Sequence, residues 1–275
     1  MGRIFMRFPG FKRKAVTLSY DDGVIFDEQL INIMRKNGLK GTFNISTGLL
    51  NEGNPRRLTK ENVVKLYTES GNEVAVHGKY HVSLADVPLA MAVDDVLKDR
   101  QTLEEWFDKI VIGMAYANGS FDDNVVDIVK KCGIEYARTT VSTEKFDIPE
   151  NWLMIPTTCH HKNPRLMELA KKFIESPESK YYWSKKPQLF YLWGHSYEFN
   201  DEDNWEIIEE FATYMGNRDN VWYATNGEIY NYVKAYDSLM WGADGKRVYN
   251  PSVYDIFINY YDNEYVIHPG DDVKI

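Results

Sequence analysis

At 275 residues the chain is longer than an average domain but fits a single α/β barrel. Lys and Arg number 32 against 41 Asp and Glu, a net charge of −9 that argues against a phosphate-backbone binder, which needs a basic face. A composition 44% hydrophobic and 14% aromatic excludes a disordered or collagen-like chain. Cys132 and Cys159 are too few for a disulfide scaffold, match no CxxC metal pattern and read as reduced structural thiols. The basic opening MGRIFMRFPGFKRK lacks an uninterrupted apolar stretch and a small-residue cleavage site, and no apolar run reaches the ~20 residues of a membrane span. A cytoplasmic protein with no nucleic-acid partner and no membrane span is therefore expected.

Residues 15–19 (AVTLS) read as a strand that runs into Tyr20-Asp21-Asp22-Gly23. Leu30, Ile33 and Met34 recur at helical spacing and mark a helix over 27–36, closed by Gly38. Residues 41–46 are strand-like, and Thr59 is placed to cap a helix carrying Val63, Val64 and Tyr67 that stops near Gly71. A strand over 73–76 ends at His77. A helix over 91–107, a strand over 110–116 and a helix over 122–131 follow, the last stopped by Gly133. Strands over 136–140 and 152–158, a helix over 164–174 and a strand over 189–193 come next. The series ends with a helix over 204–215, a strand over 221–224 and a helix through Tyr236.

This alternation implies an α/β fold of parallel strands joined by crossover helices, with its chemistry at the carboxyl ends of the strands. Beyond Leu239, Asp244-Gly245, Asp262-Asn263 and Pro269-Gly270 punctuate short apolar stretches, as in a small β appendage. The expected division is 1–238 for the barrel and 239–275 for the appendage, packed on the barrel or on a neighbouring subunit.

Two clusters at strand ends carry chemistry. A turn can bring Asp21 and Asp22 into one site, one carboxylate holding a metal and the other accepting a proton, although an acidic Asp-Gly turn is also a common loop. His77 and His81, four apart, can ligate a divalent metal through neutral imidazoles. Gly78 stands where an HExxH protease carries its glutamate, which excludes that chemistry. One Asp with two His makes a facial set of three ligands with open positions. Such a set suits one zinc ion best and also accepts cobalt, nickel, iron or manganese. His195, at the end of another strand, can protonate a leaving group.

The run Thr17-Leu18-Ser19-Tyr20-Asp21-Asp22-Gly23 resembles the TFDDG motif of the polysaccharide deacetylases, the NodB-homology domain of carbohydrate esterase family four. His77-Gly78-Lys79-Tyr80-His81 is similar to their H(S/T)xxH metal motif, and Leu192-Trp193-Gly194-His195-Ser196 to their late leucine–histidine motif. The resemblance covers about residues 14–236. It implies a distorted, incomplete (β/α) barrel of seven strands and a metal-dependent hydrolase that removes an acyl group, above all N-acetyl, from a sugar or polysaccharide. It further implies Asp21 as general base, Asp22, His77 and His81 as metal ligands, His195 as general acid, and the backbone N–H of Asn118 facing the oxyanion.

The chain also departs from that pattern. The family's RxPxG motif aligns with Ala115-Tyr116-Ala117-Asn118-Gly119, so Ala115 replaces the arginine that orients the base and Ala117 the proline. Its Asp-containing aromatic motif has only Asn151-Trp152 as a loose counterpart, which leaves His195 without an identified partner. Tyr20, Tyr116, Trp193 and His161 are candidates for substrate contact, with core packing as the alternative. Cys159-His160-His161 reads as a loop, and Glu198 and Glu228 are weaker candidates at strand ends. Two other readings stay open: a C–N hydrolase acting on a formamide, amide or imide, and a carbohydrate-binding relative that has lost catalysis.

Overall fold

The computed structural model describes residues 4–50, 53–178 and 181–275. Strand β1 (Ile4–Arg7) precedes the repeat. The repeat begins with β2 (Lys14–Asp21), α1 (Asp27–Lys36), β3 (Gly41–Ile45), α2 (Lys60–Ser70), β4 (Glu73–Val76) and α3 (Leu89–Phe107). It goes on through β5 (Gly113–Ala115), α4 (Asp123–Lys131), β6 (Tyr136–Ser142), β7 (Ile155–Thr157), β8 (Cys159–His160) and α5 (Leu166–Glu175). Then come β9 (Gln188–Gly194), α6 (Ser196–Asp201), α7 (Glu206–Met215), β10 (Val221–Tyr223) and α8 (Asn226–Asp237). The chain finishes with β11 (Met240–Trp241), β12 (Arg247–Tyr249), β13 (Ile256–Tyr260), β14 (Asn263–Ile267) and β15 (Asp272–Lys274).

Local chemistry explains the helix ends. The Thr59 hydroxyl accepts the Asn62 N–H at 3.2 Å, and Gly71, at φ 69°, stops α2 in the left-handed region that glycine enters freely. Asp122 accepts the Val125 N–H at 2.8 Å and starts α4; losing such a cap costs about 1 kcal/mol. The strand expected over 110–116 shrinks to β5, because Ile110 is exposed in the turn after α3. The short helix α6 was not anticipated; it begins directly after His195.

The large sheet has the order β7-β6-β5-β4-β3-β2-β9-β8, every neighbouring pair parallel, with β10 beside β2. β2 is buried along its whole length because both its faces are covered. Residues 155–160, interrupted only at Thr158, pair with β6 through β7 and with β9 through β8, so one segment touches both ends of the ladder. Among the described residues this sheet has nine strands where seven were expected. That segment counts as two, and β10 occupies the edge of β2 at residues 14–16, below the stretch 18–21 that β3 uses.

At the other end of the chain a strand pairing crosses the division expected at residue 238. β1 pairs antiparallel with β13, which pairs with β14, so residues 4–7 belong to the appendage; β11, β12 and β15 form a second small sheet. Met6, Ile256, Ile258 and Ile267 pack with Ile229 and Val233 of α8 and with Ala15 and Leu189. Ala15 and Leu189 lie near the amino ends of β2 and β9, so the appendage packs at that end of the sheet, away from the carboxyl ends. Among the described residues no helix is long and apolar enough to cross a membrane.

Candidate active site

Asp21, Asp22, His77, His81 and His195 converge at the carboxyl ends of β2, β4 and β9. Asp21 is the last residue of β2, opposite Asn44 of β3, whose Nδ2 donates to Asp21 Oδ1 at 2.8 Å. Asp22 leaves the strand at φ 88°, with its N–H donating to the Asn44 carbonyl at 2.8 Å and its own carbonyl accepting from Arg57. His81 and Asn118 also have positive φ, both 56°. Non-glycine residues held there cost on the order of 1 kcal/mol or more each and persist only where their surroundings over-determine them.

Asp22 Oδ1 lies 3.5 Å from His81 Nε2 and 3.9 Å from His77 Nε2. His77 Nδ1 is 2.9 Å from the Ala115 carbonyl. A carbonyl only accepts, so the ring proton sits on Nδ1 and the Nε2 lone pair faces Asp22. Burial holds the His77 pKa below its ordinary value against the pull of Asp21 and Asp22, which favours the neutral ring. Asp22 Oδ1 and His77 Nε2 are both buried without a hydrogen-bond partner. Leaving such groups unsatisfied is costly, and a cation between them removes the cost. Two imidazoles and a carboxylate are a donor set that fits a divalent metal.

Asp21 is buried, which by itself raises its pKa. The guanidinium of Arg138 beside it, with His77 and His195 nearby, outweighs this and holds the carboxyl at about 2. Arg138 Nη2 donates to Asp21 Oδ2, and its Cζ sits 4.5 Å over the Trp193 ring. Arg138 lies on β6 directly opposite Ala115 of β5. The arginine missing from the RxPxG alignment is thus matched by one from the neighbouring strand. Its only signal in the sequence is a charged residue in a strand whose other members are uncharged.

His195 bridges two groups, with Nε2 3.8 Å from Asp21 Oδ2 and Nδ1 3.4 Å from Glu198 Oε2. Burial lowers its pKa, but Glu198, Asp21 and Asp22 together raise it above the ordinary value. Glu198 is itself enclosed: His160 Nε2 at 3.2 Å, His161 Nε2 at 3.1 Å and Lys162 Nζ at 2.9 Å surround it. Burial pushes the Glu198 carboxyl up, yet these neighbours hold it far below the usual range. His160 Nδ1 accepts the Lys162 amide at 3.1 Å, so the proton of the neutral ring is on Nε2, facing Glu198. Although His160, His161 and Glu198 are close enough to hold a metal, that proton makes the group a clamp for a carboxylate.

The four expected substrate contacts are corrected by burial. Tyr20 is 1% exposed and stacks on His161, and Tyr116, also 1% exposed, donates its hydroxyl to the Leu153 carbonyl at 2.9 Å. Trp193 is buried beneath Arg138. His161 is buried under Gly194, where an added Cβ would stand 2.0 Å from its Nδ1. These side chains support the site from behind, Tyr20, Tyr116 and His161 being almost wholly enclosed.

Cys159-His160-His161 forms a strand and the start of its turn rather than a plain loop. Trp152 packs edge-on to Tyr230 in the cluster shared with the appendage, so it does not replace the family's fourth motif. Glu228 accepts the Thr225 N–H at the start of α8 and pairs with Lys40. Asn118 lies beside His81, its Nδ2 donating to Ser83 Oγ at 3.1 Å and to the His81 carbonyl at 3.4 Å.

Residues 9–137 match the family model described as polysaccharide deacetylase, so the family resemblance holds over that stretch. No curated protein matches the chain. Among solved structures it is similar to a protein from Mycobacterium smegmatis assigned to the polysaccharide deacetylases, with 14% identity and a TM-score of 0.60 over 86% of this chain and 96% of that one. It is also similar to a carbohydrate esterase family four pseudoenzyme from Bacillus anthracis, with 17% identity and a TM-score of 0.51 over 82% and 70%. A Streptococcus pyogenes deacetylase in complex with acetate shares 21% identity at a TM-score of 0.50, over 55% of this chain and 65% of its own. These likenesses establish a shared α/β fold.

Proposed function

We propose, from the polysaccharide deacetylase pattern of residues 9–137, that the chain is a metal-dependent hydrolase that removes an acetyl group from an amino sugar or acetylated polysaccharide. The observation that carries this reading is Asp21, held ionised by Arg138 between the Asp22–His77–His81 trio and His195. Asp22, His77 and His81 would hold the divalent ion, zinc by preference. When bound, such an ion supplies a water of lowered pKa and polarises the acyl oxygen.

The remaining roles fall to the chain's own groups. Asp21 takes the proton of the attacking water, and Arg138 keeps its carboxylate unprotonated and aimed into the site. The backbone N–H of Asn118 would donate to the oxygen that gains charge. His195, kept protonated by Glu198, gives its proton to the departing amine or alkoxide. Glu198 is already clamped by His160, His161 and Lys162, so it orients the imidazolium without needing a proton of its own. Arg138 and Glu198 also speak against the reading as a binding protein that has lost catalysis, which rested on the absence of these two partners.

The test measures metal content and acetate release together, across acetylated sugars and small amides. One metal per chain that is lost in His77→Ala is expected. Asp21→Asn should retain the metal and lose on the order of 10²–10⁴ in kcat, the usual worth of a general base. Undiminished turnover in Asp21→Asn would overturn the base assignment, and release from amides alone would move the substrate class.

A further inference from the structure

We propose that Asp95 and Asp99 of α3 are positioning residues that hold the His77–His81 loop in its ligating shape before a cation arrives. The inference rests on reading Asp22, His77 and His81 as metal ligands. Asp95 and Asp99 are four apart, so they lie on one helix face, and they are 3% and 0% exposed. Asp99 Oδ2 accepts the His77 N–H at 3.0 Å. Its Oδ1 accepts the Thr47 N–H at 2.8 Å and the Thr47 hydroxyl at 2.6 Å. Asp95 Oδ1 accepts the Tyr80 N–H at 2.8 Å, and the Asp95 carbonyl accepts the Lys79 N–H at 3.2 Å.

Three backbone amides of the five-residue loop are therefore anchored on one helix face. With its Nδ1 on the Ala115 carbonyl, His77 is fixed at both ring and backbone.

Gly78 links this anchoring to the sequence. It stands where the family's metal motif carries Ser or Thr, and its φ is +80°. A Cβ added there would come within 2.3 Å of Asp95 Oδ2, an oxygen that is buried without a hydrogen-bond partner. The space that a side chain at position 78 would occupy is taken by a carboxylate reaching in from α3. The departure at position 78 and the acid at position 95 are thus two parts of one arrangement.

The experiment titrates zinc alone into the full chain against a chromophoric chelator and melts the metal-free proteins in parallel. Asp99→Asn keeps side-chain volume but loses one of two acceptor oxygens in use, and Asp95→Ala removes the acceptor of the Tyr80 N–H; each is expected to bind zinc ~10–100-fold more weakly, as losses of groups that orient metal ligands do. Thr47→Val removes the hydroxyl donor to Asp99 Oδ1, the oxygen that the His77 N–H does not use. It should lower Tm and leave zinc affinity unchanged, which separates positioning from plain stability. If Asp99→Asn does not fold, Asp95→Ala, which gives up a single side-chain bond, decides the matter. Folded Asp variants that bind zinc as tightly as wild type would overturn the proposal. A wild type that binds no zinc overturns the ligand reading itself and takes this proposal with it, an outcome visible without any variant.

Discussion

His77 and His81 lie beside one carboxylate, Asp22, and His160 and His161 beside another, Glu198, but the ring protons of His77 and His160 are arranged in opposite ways. The Ala115 carbonyl draws the His77 proton to Nδ1 and turns a lone pair toward Asp22. The Lys162 amide occupies His160 Nδ1 and leaves an N–H turned toward Glu198. Glu198 also has Lys162 Nζ at 2.9 Å, whereas Asp22 Oδ1 is buried with no hydrogen bond. Arg57 Nη1 stands 3.6 Å from Asp22 Oδ1, an ion pair that leaves that oxygen without a hydrogen-bond donor, whereas the second group surrounds its carboxylate with donors at 2.9–3.2 Å. Residue types at metal-ligand spacing therefore do not distinguish a metal site from a carboxylate clamp; the bond on the other ring nitrogen does.

The largest effect on this arrangement is expected from Arg138→Met, which leaves Asp21 buried without its partner. Breaking a buried pair in this way costs ~3–5 kcal/mol, read from urea unfolding at neutral pH. The pH dependence has a definite sign. Asp21 sits at about 2 in the folded chain, below the ordinary aspartate value of 3.8, so its ionised form stabilises the fold above that value. That contribution is lost as pH falls from 3.8 toward 2. The variant should lose stability at neutral pH and show a shallower acid limb, and an unchanged acid limb would detach Arg138 from Asp21.

A smaller effect is expected from Glu198→Gln. His195 loses the carboxylate that helps raise its pKa, so its protonated form disappears at lower pH. The alkaline limb of the rate profile should move toward acid, with kcat at neutral pH down on the order of 10-fold. A limb that stays in place would show that Glu198 does not hold the acid. The smallest effect belongs to His160→Ala, in which metal content by elemental analysis should match wild type. Loss of a metal equivalent in that variant would erase the difference between the two groups.

The order of strands and helices was readable along the chain because a helix face, a capping hydroxyl at Thr59 or an acid at Asp122 depends on a few consecutive residues. The same holds for Asp21-Asp22 and His77–His81, whose spacing lies within one turn or loop. The partners of these groups were not readable. Arg138 reaches Asp21 because β6 lies in register with β5, opposite Ala115, and register is settled by sheet pairing rather than by neighbours in sequence.

Glu198 was only a weak candidate because its meaning depends on β8, which brings His160 and His161 alongside it from a distant part of the chain. Tyr20, Tyr116 and His161 have the composition of a sugar platform, and only burial by other elements assigns them to the interior. β1 likewise pairs with β13 rather than with the large sheet because its backbone finds an edge there. The sequence by itself determined which elements form and which groups can ligate or move a proton, since these follow from local periodicity and side-chain chemistry. Tertiary structure decided which charge faces which, because that depends on the side chains that strand register and burial bring together.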